Sequence, residues 1–340
     1  MNLKECLSYD DVLLVPKYSG IESRSEIDLS TDLGKGLKLT LPIISAPMDT
    51  ISEHRMARAM AIAGGVAIVH RYNPIDEQVR QILAGQVRPV GAAIGVTDDY
   101  LERATAAIVD GGATFLCVDV AHGHHILVKK ALEQLRAKVG DDVHIMAGNV
   151  ATLEGIDDLA AWGVDSARCN IGGGSICSTR LQTGHGIPGL QTIIECARTD
   201  KEIKIIADGG IKNSGDMVKA LAAGADAVMI GSLLAGTQET PGDLFKDSNG
   251  FEWKSYRGMA SKEAQMDWRG QYSSYEGVAT RVPYQGPVAS TLADLEKGIR
   301  SGFSYSGARS LQELWIHAEF VTQTSAGIAE SKTHIDKRTR

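Results

Sequence analysis

Short runs of β-branched and small apolar residues recur along the chain. Each is followed by a polar or glycine-bearing loop and then by a stretch with helical periodicity. Eight such runs stand out: Ile43–Ala46, Val66–Val69, Val90–Ile94, Phe115–Val118, Val143–Ala147, Ser166–Asn170, Ile203–Ala207 and Ala227–Ile230. Most starts lie about 23 to 28 residues apart, the length of one strand–loop–helix unit. Eight consecutive units predict an α/β chain folded as a (β/α)8 TIM barrel, a single domain over residues 1–340; a doubly wound open sheet is the alternative. Local signals agree. Asp98 is placed to cap a helix over Tyr100–Val109, and Asn213 or Ser214 to cap one over Asp216–Ala223 that stops at Gly224.

Two places break the rhythm. About 37 residues separate the starts of the sixth and seventh runs, and they hold Gly172-Gly173-Gly174-Ser175-Ile176-Cys177, a loop predicted over 170–190. About 110 residues follow the eighth run where one helix would close a barrel, and the polar, aromatic-dotted stretch over 251–287 is predicted to be a mobile flap. Barrel loops converge on one mouth at the C-terminal strand ends, so both departures mark the functional face.

The residues just past each run supply candidate chemistry: Asp119 and His122, Asn149, Cys177, Asp208-Gly209-Gly210, and Gly231-Ser232. Glycines after the seventh and eighth strands bring backbone N–H groups to an anion without a side chain in the way, which suits a phosphate; the alternative is that they only turn the chain. Cys177 sits in a loop whose backbone can approach a ligand, and is either a nucleophile or an inert small residue. The other four cysteines read as structural. His122, His124 and His125 have no metal-ligand spacing. Glu276 is a flap carboxylate, either an acid/base group or solvated.

Composition narrows the partners. Lys and Arg total 35 against 42 Asp and Glu, a net charge of −7, with 43% hydrophobic and 23% charged residues. No basic run carries the footprint of a nucleic-acid or anionic-lipid binder. No apolar stretch approaches the roughly 18 to 20 residues of a membrane span, and MNLKECLSYDD lacks a signal-peptide core, which points to the cytoplasm. Five cysteines without C-x-x-C spacing read as free thiols.

Ten motifs then carry a resemblance: SYDDVLLVP (Ser8–Pro16), ISAPMDT (Ile44–Thr50), GGVAIVHR (Gly64–Arg71), VDVAHGH (Val118–His124), MAGNVAT (Met146–Thr152), GGGSICSTR (Gly172–Arg180), IADGGI (Ile206–Ile211), GSLLAGT (Gly231–Thr237), YRGMAS (Tyr256–Ser261) and EGVATRVPYQG (Glu276–Gly286). Over essentially its whole length the chain resembles the inosine-5′-monophosphate dehydrogenase and guanosine-5′-monophosphate reductase family. The resemblance implies that Cys177 attacks C2 of a purine nucleotide, with Thr179 and Glu276 assisting proton transfer. It implies that Ser175, Asp208, Gly209, Gly210, Gly231, Ser232, Tyr256 and Arg257 hold the phosphate and ribose, with Gly258 and Met259 at the base. Asp119, Ala121, His122 and Gly95 would lie along a nicotinamide cofactor. Backbone groups of Gly172, Gly174 and Cys177 would bind K+, and the assembly would be a homotetramer.

The chain departs from the family pattern in two ways. The family loop commonly reads Gly-Ile-Gly-Pro-Gly before Ser-Ile-Cys, whereas Asn170-Ile171-Gly172-Gly173-Gly174 stands here. The tandem CBS domains that many dehydrogenases insert are absent, since the chain runs from Ile82 straight to Val90. Family dehydrogenases hydrolyse their Cys-linked intermediate with an Arg-Tyr pair on the flap; Met259–Glu276 contains none, and Trp268-Arg269-Gly270-Gln271-Tyr272 is the nearest approach. The expected reaction is therefore NADPH-dependent reductive deamination of GMP to IMP. The alternatives are oxidation of IMP to XMP with NAD, and a barrel that binds purine nucleotides without turnover.

Overall fold

The computed structural model describes residues 3–272 and 275–332; the outermost ends of the predicted domain and positions 273–274 of the predicted flap lie outside them. Eight parallel strands close into a barrel: β1 (Ile43–Ser45), β2 (Val66–Val69), β3 (Gly91–Ile94), β4 (Phe115–Asp119), β5 (His144–Val150), β6 (Ser166–Cys169), β7 (Lys204–Asp208) and β8 (Ala227–Ile230). Each coincides with a predicted run to within three residues at either end, and the pairing of β8 with β1 (Met229 beside Ile44) closes the ring. Closure excludes the open-sheet alternative.

The period-two alternation of each strand divides the buried side chains between two cores. Ile44, Val66, Ile68, Ala93, Phe115, Cys117, Met146 and Ile206 fill the barrel, and Leu33, Leu37 and Leu39 of a short hairpin pack into the same cluster. Ile43, Ala67, Val69, Ala92, Leu116 and Val118 point outward into the larger layer beneath the helices. Gly91 makes room for this interior: a Cβ there would sit 2.3 Å from the Phe115 ring.

Helix caps follow the expected chemistry at one site and not at the other. Asn213 caps the helix Ser214–Ala222 by accepting from the Asp216 N–H. Asp99, not Asp98, holds the N-cap position of Tyr100–Val109; Asp98 adopts φ of 60°, and the Asp99 carboxylate accepts from Arg103 at 2.6 Å instead. Between β2 and β3 there is only the helix Ile75–Gly85 and a short link, so no further domain is inserted there.

The long C-terminal excess is structured. An antiparallel sheet of Phe245–Lys246, Glu252–Arg257 and Ala279–Pro283 stands over the mouth, with the helix Lys262–Arg269 between its last two strands. The helix Val288–Tyr305 then completes the outer layer. Among the described residues no helix is long and apolar enough to cross a membrane.

Candidate active site

The C-terminal strand ends and the flap enclose a cavity of about 270 Å³. Every predicted site residue lines it except Arg257, His122 and Gly95. Alternation along the flap strand explains Arg257: Tyr256 faces the cavity, while the Arg257 guanidinium turns to Asp49 (2.6 and 2.9 Å) and Asp267. Gly95 is covered by Arg71, whose guanidinium would lie 3.4 Å from a Cβ at that position. The His122 ring packs edge-on to His125 with centroids 6.4 Å apart, and burial lowers its pKa, followed by the charges of His124, His125 and His185. His124 bonds Asp158 at 2.7 Å, and His125 caps the helix Ile126–Val139 by accepting from the Leu127 N–H.

At the Cys loop, the Cys177 thiol donates to the Thr179 hydroxyl at 3.2 Å, and that hydroxyl donates to a Glu276 carboxylate oxygen at 2.6 Å. Two segments nearly a hundred residues apart in sequence build this chain. Backbone bonds hold them together, Ser178 N–H to the Glu276 carbonyl (2.9 Å) and Val278 N–H to the Ile176 carbonyl (2.9 Å), while Glu276 N–H is anchored within the flap by the Ala260 carbonyl (3.0 Å). Glu276 is thereby a partly buried group lining the cavity and not a fully solvated flap carboxylate.

Opposite the thiol is a glycine-lined concavity. Gly209 and Gly210 adopt φ of 80° and 74°, a region costly to other residues. A Cβ at Gly231 would approach Met48 Sδ to 3.1 Å and the Tyr256 hydroxyl to 3.5 Å, so a side chain there would crowd both of these lining residues. Ser175 and Tyr256 hydroxyls meet at 3.3 Å beside it. Burial raises the Tyr256 pKa above its ordinary value.

The sequence reading missed Arg168, which lies inside the sixth apolar run. Its side chain is buried, and the guanidinium donates to Asp208 through Nε (3.1 Å) and Nη2 (2.9 Å) and to Asp119 through Nη1. Asn149 donates to the same Asp208 oxygen at 2.7 Å. A charged residue inside an apolar strand pattern was the available signal. Arg71 and Tyr72 were also missed; they line the cavity after β2, and Tyr72 stacks on Trp268 of the flap helix with centroids 5.9 Å apart and planes at 15°. Arg71 Nε is buried without a partner and lines the cavity together with Asp119.

Comparison with known proteins gives this geometry its context. The model of the IMP dehydrogenase / GMP reductase domain matches residues 6–334. The chain belongs to that family. It is 33% identical to an inosine-5′-monophosphate dehydrogenase of Nitrosopumilus maritimus (98% of this chain, 99% of the relative) and 32% identical to a GMP reductase of Leishmania major (98% and 97%). A crystal structure of GMP reductase from Trypanosoma brucei in complex with guanosine 5′-monophosphate superposes with a TM-score of 0.92 at 29% identity, covering 98% of both chains. As a family member the protein is an oxidoreductase that uses a nicotinamide dinucleotide. The alignments to the two curated relatives extend over 474 and 481 positions against 340 residues here, so a dehydrogenase and a reductase both carry additional residues and the missing insertion does not separate them.

Proposed function

We propose that the protein is a GMP reductase that converts GMP to IMP and ammonia with NADPH. The observation that carries this reading over the dehydrogenase one is that the flap from Met259 to Glu276 holds no adjacent Arg-Tyr pair to activate water; the continuous path from the Cys177 thiol through Thr179 to Glu276 supplies the proton transfer that either reaction needs. Arg269 is exposed at the end of its helix and does not line the cavity.

In this mechanism the nucleotide phosphate sits over Gly209, Gly210, Gly231 and Ser232, and Asp208 accepts from the ribose hydroxyls. This fixes C2 of the purine against Cys177. The Cys177 sulfur bonds to C2 while its proton passes to Thr179 and Glu276. The same path returns a proton to the departing amine, so the C2–N bond breaks with loss of ammonia rather than of an amide ion. Asp119, Ala121 and Arg71 would hold NADPH along the cavity wall, where it would supply the hydride for C2 as the thiolate leaves. The balance is GMP, NADPH and one proton in, and IMP, NADP+ and ammonia out.

For the proposed K+, the Gly174 carbonyl already accepts the Cys177 N–H at 3.1 Å and retains one lone pair. Potassium, a homotetramer and a cytoplasmic setting are carried with the reductase reading. The dehydrogenase reading is supported by relatives bearing that name. Absorbance at 340 nm separates the two. A fall with GMP and NADPH, lost in Cys177→Ala, supports the reductase; a rise with IMP and NAD overturns it. Repeating the active assay in sodium instead of potassium buffer tests the cation.

A further inference from the structure

Asn170 opens the Cys loop and faces the cavity with only 3% of its surface exposed. Its Nδ2 donates to the Gly209 carbonyl at 3.2 Å, across from the end of β6 to the glycine turn after β7. Its carboxamide also occupies the space beneath Gly173. A Cβ at Gly173 would lie 2.1 Å from Nδ2 and 2.7 Å from both Cγ and Oδ1, so no side chain at 173 is compatible with Asn170 as placed. The same amide approaches Gly189 and Gly210, where a Cβ would lie 3.2 and 3.7 Å from Nδ2. Asn170 thus packs against both halves of the loop that bears Cys177 and against the proposed phosphate turn. Oδ1 has no partner, so the polar contact that fixes the side chain is the one to Gly209.

We infer that Asn170 is a positioning residue, a strut that sets Cys177 relative to the bound nucleotide, and that Gly173 is kept bare to admit it. The geometry couples the two residues as one exchange. The amide fills from below the volume that a side chain at 173 would fill from above, and it adds a bond to Gly209. The inference rests on Cys177 being the nucleophile, but not on which direction the enzyme runs.

The test is a double-mutant cycle with two readouts: kcat, and the rate at which iodoacetamide alkylates Cys177, followed by mass spectrometry of its peptide with and without GMP or IMP. Asn170→Gly leaves a void, and Gly173→Ala pushes the amide off Gly209. Each is expected to lower kcat by roughly 10- to 100-fold, the loss that follows misplacement of a reacting group by about an ångström, with little change in nucleotide KM. The double variant Asn170→Gly with Gly173→Ala refills the space and is expected to recover most of the alkylation rate and part of kcat. Asn170→Asp keeps the shape and loses the donor; it is expected to fall with the single variants. Strictly additive losses in the double variant, wild-type behaviour in Asn170→Asp, or unchanged alkylation in every variant would each overturn the inference. Failure of the GMP reductase assay with the alkylation pattern intact would overturn only the direction of the reaction.

Discussion

The two halves of the cavity wall are built on different principles. On the rim, Asp119, Asn149, Arg168 and Asp208 project from neighbouring strands of a closed sheet, and they satisfy one another before any ligand arrives. At the Cys loop and flap, Cys177, Thr179 and Glu276 meet because two irregular segments lie side by side, joined by a few backbone bonds. The rim is part of the folding unit, so damage to it is read first as lost stability. The proposed relay is a junction, and damage there is expected to be read first as lost chemistry.

The largest expected effect is at the junction. Cys177→Ala removes the proposed bond-forming atom and should reduce turnover by at least about a thousandfold, while calorimetry with GMP should show affinity within a few-fold of wild type. Next, Glu276→Gln keeps the shape and the hydrogen bond but cannot carry a proton. It should lower kcat by about 10² to 10⁴ with KM little changed, followed as ammonia release. For both variants the urea midpoint should stay at its wild-type value; a large drop would erase the distinction between the two halves.

Arg168→Met should do the reverse. It leaves two carboxylates facing each other at a buried site and should cost about 3 to 5 kcal/mol of stability, seen as a lower urea midpoint at unchanged slope. Arg168→Lys should lose less.

The smallest effect sharpens the comparison through pH. His144, wholly buried at the start of β5, bonds Ser166 at 2.8 Å, and burial pushes its pKa down to about 4. The unfolded chain binds this proton near pH 6.5, so stability from His144 is fully present above that value and is lost as pH falls from 6.5 toward 4, by at most about 3 kcal/mol. Unfolding midpoints from pH 7 to 4.5 should show this slope, and His144→Gln should flatten it. The relay's own pH dependence, read in kcat, should be unaltered by that substitution.

The barrel was legible because its signals are local and repeated: period-two strands, helix caps, and glycines at turns. The cysteine and the glycine-lined turns were legible for the same reason, being loop residues at fixed places after predicted strands. Arg168 was hidden by that success. An inward-facing strand position reads as core, and only the neighbouring strands reveal that two carboxylates surround it. Arg257 failed in the other direction: its motif pointed to the nucleotide, but the alternation of its strand turns it toward Asp49.

By itself the sequence determined the eight-unit barrel, the loop that carries the thiol and the segment that covers the mouth, because each depends on residue type and spacing along one stretch of chain. Tertiary structure alone decided which side chains touch. Thr179 reaches Glu276, Arg168 bridges Asp119 and Asp208, and Asn170 reaches the Gly209 carbonyl, through contacts between segments whose separation no local pattern encodes.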